Sequence, residues 1–224
     1  MNKRIKDYPV AKNIICIEGC DLVGKTTIQN SLVEYYHKKE IEVLGVQSPG
    51  ETVVGTKIRE ILKKYEMPPL AQECLFNASD TIIFNSFNPE INYIFDRYWI
   101  SRIVYQYYLN RKFNYIEPKK IYEMIERMIS YGIKLPYNNI ILLARDIKIL
   151  KSRTSNRKKT VDVFEKIGLE KINNAYCNVV NALTQELNFN EIMKFHVFIV
   201  DEYNNKPISD FIKNVVDVID FREN

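Results

Sequence analysis

The sequence has few of the residues that define several classes of protein. Its 224 residues include only four cysteines, and no two of them form a Cys-x-x-Cys pair. This spacing argues against a disulfide framework and against a cysteine-based metal site. We therefore expect buried free thiols at Cys16, Cys20, Cys74 and Cys177.

Long apolar runs and linker-like segments are also missing. No stretch reaches the roughly 20 apolar residues that a membrane-spanning helix needs, and the charged start, Met1 to Lys6, lacks the apolar segment of a secretory signal. No repeat, low-complexity tract or linker divides the chain. We expect a single domain over residues 1–224, without membrane contact, in the cytoplasm or the nucleus.

An excess of one charge is absent as well. The 32 lysines and arginines and the 28 acidic residues give a net charge of +4 and are mixed along the chain. A nucleic-acid-binding protein would concentrate its positive charge on one face or arm. The composition therefore argues against nucleic acid as a partner.

The sequence does contain an alternation of short β-branched runs with longer stretches of helical period. Runs of the strand type occur at 13–18, 42–46, 92–96, 138–143 and 196–201. Helical patterns lie near 25–38, 53–65, 71–86, 100–110, 119–131, 147–154, 162–187 and 209–220. This alternation predicts an α/β fold in which a parallel sheet of about five strands is covered by helices on both faces. Ligands of such sheets bind at the carboxyl ends of the strands.

A glycine-rich segment directly follows the first predicted strand. The sequence from Gly19 to Thr26 fits G-x-x-x-x-G-K-[ST] and leads into a helical pattern. In this context the backbone N–H groups bind a polyphosphate, the lysine contacts the outer phosphates and the hydroxyl can bind Mg²⁺. A glycine turn with a chance match to the motif is the alternative. The predicted ATP phosphate site consists of Gly19, Cys20, Asp21, Leu22, Val23, Gly24, Lys25, Thr26 and Thr27.

A second polar group follows the third predicted strand, where Asp96, Arg97 and Tyr98 are adjacent in sequence. The Asp96 carboxylate can hold Mg²⁺ through water, which together with Thr26 gives the predicted metal site. The guanidinium of Arg97 can bind an acceptor phosphate with two nitrogens. An ordinary Asp–Arg pair that caps a helix is the alternative. The helical stretch that follows contains Ser101, Tyr105 and Gln106.

A cationic segment at about 151–161 is the third feature. It contains Arg153 and Arg157 among further basic residues and precedes another helical pattern. Such a segment is usually a solvent-exposed charge run. Phosphoryl transfer, however, needs mobile cations that close over the reacting group and exclude water, so we interpret the segment as a lid.

With these motifs, the chain resembles the thymidylate kinase family of P-loop nucleoside monophosphate kinases over most of its length. The matching pieces are the loop at 17–27, Pro49-Gly50 with residues 52 and 55–59, the run 75–78, the segment from Asp96 to Gln106, and residues 153–176. The resemblance implies a three-layer P-loop NTPase fold and Mg²⁺-dependent transfer of the ATP γ-phosphoryl group to dTMP, a step of dTTP biosynthesis. It also implies that the ligands are small-molecule nucleotides and that two copies pair as a homodimer.

The resemblance further implies roles for individual residues. Lys25 and Arg97 would be catalytic, together with Arg153 and Arg157, because the variable P-loop positions carry no cation. Phe76 would stack on the base, and a core position is the alternative for this aromatic side chain. The acceptor nucleotide would be bound by Asp21, Pro49, Phe76, Asp80, Arg97, Tyr98, Ser101, Tyr105 and Gln106.

The sequence departs from the family pattern in two places. Gln47 and Ser48 stand where the family has Arg-Glu, which removes a cation near the acceptor phosphate, and Asp80 stands where an arginine contacts the thymine edge. An ionised carboxylate cannot donate a hydrogen bond to a carbonyl, so we expect weakened selection for thymine and some activity on dUMP or dCMP. The alternatives are a monophosphate kinase with altered base specificity, a deoxynucleoside kinase with a carboxylate base, and a nucleotide-binding member without activity.

Overall fold

The computed structural model describes residues 10–11, 13–109, 117–136, 139–155, 167–187, 189, 194–203 and 206–219. The strands in this part, numbered in chain order, are β1 (Val10–Ala11), β2 (Ile14–Glu18), β3 (Val43–Gln47), β4 (Asn92–Asp96), β5 (Leu135–Pro136), β6 (Asn139–Ala144) and β7 (Phe195–Ile199). Five of them form a parallel sheet in the order β3-β4-β2-β6-β7, which confirms the predicted sheet. Strands β1 and β5 pair separately. The sequence did not predict that pair, because two residues are too short to show a period.

The helices lie between the strands. They are α1 (Lys25–His37), α2 (Val53–Lys64), α3 (Pro69–Asn85), α4 (Trp99–Arg102), α5 (Pro118–Ser130), α6 (Ile147–Ser155), α7 (Leu169–Asn181) and α8 (Ile208–Val218). Helix α4 continues as π-helix over Ile103–Tyr108, and α7 continues in the same way over Ala182–Glu186. The predicted helix over 162–187 is not continuous, because Gly168, with a φ of 94°, is the N-cap of α7, which begins at Leu169. Residues 162–166 lie outside the described part of the chain.

The core follows from two apolar patterns. Strand β2 is buried along its whole length, as a central parallel strand covered on both faces should be. On α5 the buried residues are Ile121, Met124, Ile125 and Met128, the spacing of one helical face. Within the described residues, no helix is both long and apolar enough to span a membrane.

All four cysteines are free thiols. Cys16 and Cys20 are buried, as expected. Cys74 and Cys177 are exposed, so the expectation of buried thiols is wrong for this pair. Both lie on helices, where the position around the helix decides burial and a single residue type predicts it poorly.

The sheet register brings distant segments to one edge. Ile17 pairs with Asp96, and Gln47 pairs with the same residue from the other side. The carboxyl ends of β2, β3 and β4 are therefore level. The loop after β2 and Arg97 after β4 consequently meet above this edge.

Candidate functional site

The loop between β2 and α1 bends sharply at three residues with positive φ. These are Gly19 at 140°, Leu22 at 68° and Gly24 at 113°. A Cβ atom on Gly19 would lie 2.5 Å from the carbonyl oxygen of Leu143, so only glycine fits there. Gly24 is the N-cap of α1, and as a glycine it has no side chain that could bond to the first N–H groups of the helix. The first N–H groups of α1 therefore keep the anion-binding character of a helix N-terminus.

Lys25 is the first residue of α1 and points back over the loop. Its ammonium donates a hydrogen bond to the carbonyl oxygen of Cys20 at 2.7 Å. Burial and, to a smaller extent, the nearby charge of Arg97 lower the pKa of Lys25 to about 8, against the opposing charges of Asp21 and Asp96. A bound polyphosphate would supply the negative charge that this buried cation lacks.

Thr26 and Asp96 lie next to each other although they are far apart in sequence. The Thr26 hydroxyl donates to Oδ2 of Asp96 at 2.5 Å. The two side chains therefore present oxygen atoms from α1 and from the end of β4 at one place. Oxygen donors of this kind are what Mg²⁺ prefers, so the residues fit the predicted ion.

Arg97 is the centre of a polar cluster after β4. Its Nη2 donates to Asp21 Oδ1 at 2.8 Å, and its Nη1 donates to Ser101 Oγ at 3.3 Å and to the hydroxyl of Tyr176. Burial would raise the pKa of Asp21, but the charges of Arg97 and Lys25 outweigh burial and hold it well below its usual value. The guanidinium is thus fixed beside the P-loop.

Glu18 supports this cluster from below. Its carboxylate accepts hydrogen bonds from the backbone N–H of Tyr98 at 2.9 Å and from the Ser101 hydroxyl at 2.6 Å. Ser101 also lies 2.7 Å from the Tyr176 hydroxyl. Burial raises the pKa of Glu18, while the hydrogen bond from Ser101 and the charge of Arg97 oppose that rise. Neither Glu18 nor Tyr176 was among the predicted site residues, although both lie within the segments that carry the family resemblance.

A cavity of about 290 Å³ lies above these residues. Its lining consists of Asp21, Leu22, Gly24, Lys25, Thr26, Thr27, Gln47, Arg59, Asp96, Arg97 and Arg153. Arg59 was not among the predicted site residues; its Nη1 donates to the carbonyl oxygen of Pro49 at 2.9 Å. The sequence could have indicated Arg59, because it lies in the segment 55–59 that matches the family. Arg59 therefore supplies a cation to the cavity wall, where Gln47 carries no charge.

Arg153 contacts the P-loop directly. Its Nη1 donates to the carbonyl oxygen of Leu22 at 2.9 Å, and its side chain is exposed. Arg157 and the rest of 156–161 lie outside the described residues. The described part of the predicted lid therefore ends on α6, with one of its two arginines at the cavity.

Two further candidates, Tyr98 and Gln106, are buried and do not line this cavity. The Tyr98 side chain is buried, packs against Phe95 with ring centroids 4.9 Å apart, and donates to the carbonyl of Lys134. Gln106 is buried and donates to Gln72 at 3.0 Å. The structure therefore gives the Tyr98 side chain a place in the core. Tyr105, by contrast, places its ring centroid 5.5 Å from the guanidinium carbon of Arg97.

Asp80 is placed differently from our expectation. We expected its carboxylate to face the base, but its side chain is fully buried and both oxygens are bonded within the protein. Ser48 donates to one oxygen at 2.5 Å, and Arg102 donates to the other. Burial raises the pKa of Asp80, and the charge of Arg102 opposes that rise. The half-buried Phe76 lies on the same helix, with the guanidinium carbon of Arg102 5.7 Å from its ring centroid.

A second cavity, of about 210 Å³, adjoins the first. The two share Gly24, Thr27 and Arg153 in their walls. The remainder of the second lining is largely apolar and consists of Val23, Ile28, Arg145, Val200, Lys206, Ile208 and Phe211. The arrangement offers one compartment for phosphates and a neighbouring one for an apolar ring.

A parallel sheet, a phosphate-binding loop that opens into a helix, and cations gathered over the carboxyl edge define a P-loop phosphotransferase. The family model for thymidylate kinase matches residues 17–194. The chain therefore belongs to the thymidylate kinase family.

Curated relatives and solved structures agree with this assignment. The thymidylate kinase of Thermoanaerobacter sp. (strain X514) is 30% identical over 201 residues, which cover 84% of this chain and 95% of that protein. The thymidylate kinase of Malacoplasma penetrans is 29% identical over 163 residues, covering 68% and 72%. The structure of thymidylate kinase from Ehrlichia chaffeensis matches with a TM-score of 0.64, 18% identity and coverage of 94% and 100%. At 18% identity, this structural match shows the fold alone.

Proposed function

We propose that this protein transfers the γ-phosphoryl group of ATP to dTMP, forming dTDP. The observation that carries the proposal is the convergence of Lys25, Arg97 and the Thr26–Asp96 pair on one cavity at the carboxyl edge of the sheet. Family membership supports dTMP as the acceptor. In this reaction an oxygen of the acceptor phosphate bonds to the γ-phosphorus while the bond to the β,γ-bridging oxygen breaks, and ADP leaves.

The donor nucleotide would occupy both cavities. Its phosphates would lie along the P-loop and Lys25, and its base would enter the apolar compartment beside α8. Mg²⁺ would be held by Thr26 and Asp96 and would supply neutralisation of the phosphate charge when bound. Arg153, already at the P-loop, would stabilise charge on the transferring group as part of the proposed lid.

The acceptor would bind on the other side of Arg97. Arg97 and Arg59 both line the cavity and would bind the acceptor phosphate. Arg59 would thereby supply the positive charge that position 47, a glutamine, does not. Asp21 would orient the sugar and phosphate through its bond to Arg97. Phe76 would carry the base on its open face.

The contacts of two residues argue against a nucleoside as the acceptor. A kinase that acts on a 5′-hydroxyl needs a carboxylate base near the end of β3. Ser48 occupies that place and donates to Asp80. The nearby Glu51 carboxylate accepts the backbone N–H of Gln47 at 3.1 Å. A monophosphate acceptor, already ionised, needs no such base.

The test is a coupled assay of ADP release with ATP and Mg²⁺. The acceptor panel should contain dTMP, dUMP, dCMP, dGMP, the ribonucleotides and unphosphorylated thymidine. We expect the highest kcat/KM for dTMP and no turnover of thymidine. Turnover of thymidine would indicate a nucleoside kinase. Nucleotide binding without turnover of any monophosphate would indicate a member without activity.

We further propose that two copies form a homodimer in the cytoplasm. Several apolar side chains are exposed on α2 and at the start of α3, which supports a contact surface there: Val53, Val54, Ile61 and Leu70. Light scattering after size exclusion should give twice the chain mass of 26.5 kDa. A single-chain mass over the working concentration range would contradict this part of the proposal.

A further inference from the structure

Asp80 anchors the end of β3 to α3. Ser48, the first residue after β3, is buried, and its hydroxyl donates to Oδ1 of Asp80 at 2.5 Å. The other carboxylate oxygen accepts from Nη2 of Arg102, whose Nη1 donates to Asn77 on the same helix as Asp80. The exposed fractions of the Asp80 and Arg102 side chains are 0% and 1%. This buried triad of hydroxyl, carboxylate and arginine cannot touch a ligand, so a role in the reaction must pass through the chain segment that begins at Ser48.

The segment that begins at Ser48 holds Arg59. The Nη1 of Arg59 donates to the carbonyl oxygen of Pro49 at 2.9 Å. A Cβ atom on Gly50 would lie 3.5 Å from the same nitrogen, so the guanidinium rests on the backbone of this segment. Arg59 lines the cavity of about 290 Å³, and the Pro49 carbonyl is therefore one of the groups that orient this cation in the cavity wall.

Helix α2 contacts α3 beside the same triad. Its Gly55 is buried, and a Cβ atom there would lie 3.0 Å from Oγ of Ser79, the residue before Asp80. Gly55 and Arg59 are four positions apart on α2 and therefore share one face of that helix. The loop after β3 and the face of α2 that bears Arg59 consequently meet α3 at the adjacent residues Ser79 and Asp80.

We propose that Asp80 is a positioning residue for the acceptor phosphate and acts on it through Ser48 and Arg59. By holding the Ser48 hydroxyl, it sets the Pro49 carbonyl that directs Arg59 towards the phosphate. The inference rests on the proposed function, because it concerns the acceptor side of that site. The carboxylate that we expected to face the base thus serves the opposite end of the acceptor.

The chemistry of the triad suits this role. Arg102 supplies the opposite charge that keeps a buried carboxylate ionised, so Asp80 can only accept from the Ser48 hydroxyl. A guanidinium binds two phosphate oxygens only when its plane is aligned with them. Loss of the anchor at Ser48 should therefore weaken binding of the acceptor phosphate and leave the ATP side of the cavity unaffected.

The test removes the hydroxyl and leaves the ion pair intact, because removing one partner of a buried pair leaves an uncompensated charge. For Ser48→Ala we expect KM for dTMP to rise about 2- to 10-fold, the range that corresponds to one net hydrogen bond. The kcat and the KM for ATP should stay unchanged. An unchanged KM for dTMP in Ser48→Ala would overturn the inference.

A double-mutant cycle distinguishes positioning from general destabilisation. Arg59→Met removes the cation and should itself raise KM for dTMP. In the Arg59→Met background, Ser48→Ala should raise KM no further, because the group through which Ser48 acts is gone. If Ser48→Ala raises KM by the same factor with and without Arg59, Ser48 does not act through Arg59 and the inference is wrong.

A second triad of the same chemistry provides the matched control. The Tyr107 hydroxyl donates to Glu73 of α3, which also accepts from Arg127 at 2.6 Å. None of these three side chains is among the described lining residues of the cavity of about 290 Å³. Tyr107→Phe should lower the unfolding temperature and leave KM for dTMP unchanged. Equal increases of KM in Tyr107→Phe and Ser48→Ala would identify destabilisation as the cause and contradict the inference.

Two further arms keep the outcomes separate. If thermal unfolding shows that Ser48→Ala does not fold, Ser48→Cys takes its place in the cycle, because a thiol fills the site but is a weak donor. If the unmodified protein phosphorylates no monophosphate, the proposed function fails on its own. The same cycle is then measured as calorimetric Kd values for dTMP, with the same dependence on Arg59 expected. Absence of dTMP binding would overturn the inference as well.

Discussion

Thr26 and Asp96 are joined by a hydrogen bond of 2.5 Å between the hydroxyl at the start of α1 and the carboxylate at the end of β4. The bond connects the P-loop to the strand that carries Arg97. It also places the two predicted metal-binding oxygens next to each other. The pair is thus both a structural link and the candidate magnesium site.

Replacing Asp96 with Asn should lower kcat by about 10²-fold or more and raise the Mg²⁺ concentration needed for half-maximal rate. The reason is that an amide keeps the shape of the carboxylate but loses the charge that stabilises the ion. The measurement is initial rate against Mg²⁺ at saturating ATP and dTMP. Glu34→Gln, an exposed substitution on the same helix as Thr26, should change neither quantity. An unchanged Mg²⁺ dependence in Asp96→Asn would remove Asp96 from the metal site.

The pKa of Lys25, about 8 in the ligand-free protein, predicts a pH effect. Above that pH the ammonium loses its proton and its attraction for phosphate, so kcat/KM for ATP should fall about tenfold per pH unit. Bound phosphate favours the charged form, so kcat should fall at higher pH than kcat/KM. The variant Lys25→Arg keeps its charge over this pH range but changes the geometry of the phosphate contact. It should therefore be less active, and its kcat/KM for ATP should not fall near pH 8. A flat kcat/KM profile up to pH 10 in the unmodified protein would contradict this account.

Arg153→Ala should lower kcat by about 10²-fold with little change in KM for dTMP. Its contact with the Leu22 carbonyl places it at the P-loop and not at the acceptor side, so it should act on the transferring group. Lys151 is a close control, since it is an exposed cation on the same helix that pairs with Glu170. Lys151→Ala should leave both constants unchanged. A rise in KM at constant kcat for Arg153→Ala would show that this segment is a binding surface.

Tyr176→Phe should raise KM for dTMP by about 2- to 10-fold. The variant keeps the ring but loses the hydroxyl that contacts Arg97 and Ser101, and a net hydrogen bond of this kind contributes about 0.5–1.5 kcal/mol. Steady-state kinetics with varied dTMP measures the effect. Tyr131→Phe, at an exposed tyrosine, serves for comparison and should show no change. Equal constants in the two variants would mean that Arg97 needs no support from Tyr176.

Gly19→Ala should destabilise the protein and abolish ATP binding. The new Cβ would overlap the Leu143 carbonyl oxygen, 2.5 Å away, in addition to the strain of a side chain at a φ of 140°, a backbone conformation that residues other than glycine rarely adopt. Gly132 also has positive φ, but nothing lies within 4 Å of its Cβ position. Gly132→Ala should therefore show the conformational penalty alone. Calorimetric unfolding and ATP titration compare the two, and a similar loss in both would exclude the overlap as the cause.

The sheet and the P-loop were predictable because their signals are local. β-branched runs with short spacing gave the five strands, and the motif from Gly19 to Thr26 is contiguous in sequence. The start of α7 was misplaced because a charged, polar segment continues the helical composition up to Gly168. The pair β1–β5 was missed because its partners are short and 125 positions apart in register.

The candidate site was predictable where one residue type carries one role, as for Lys25 and Thr26. Contacts between side chains from different elements were not. Asp80 was interpreted as facing the base because its partner, Arg102, comes from a helix whose packing the sequence does not specify. Tyr98 was grouped with Arg97 by adjacency, yet its ring lies in the core, packed against Phe95.

Arg97 itself has a φ of 70°, an unusual backbone conformation for a residue with a long side chain. The carboxylate of Glu18 secures the turn by accepting the next N–H along the chain, that of Tyr98. The conformational entropy of this arginine side chain is consequently lost during folding and not during substrate binding. A dTMP phosphate would therefore meet a guanidinium that is already immobilised, and its affinity would reflect electrostatic attraction with little loss of side-chain freedom.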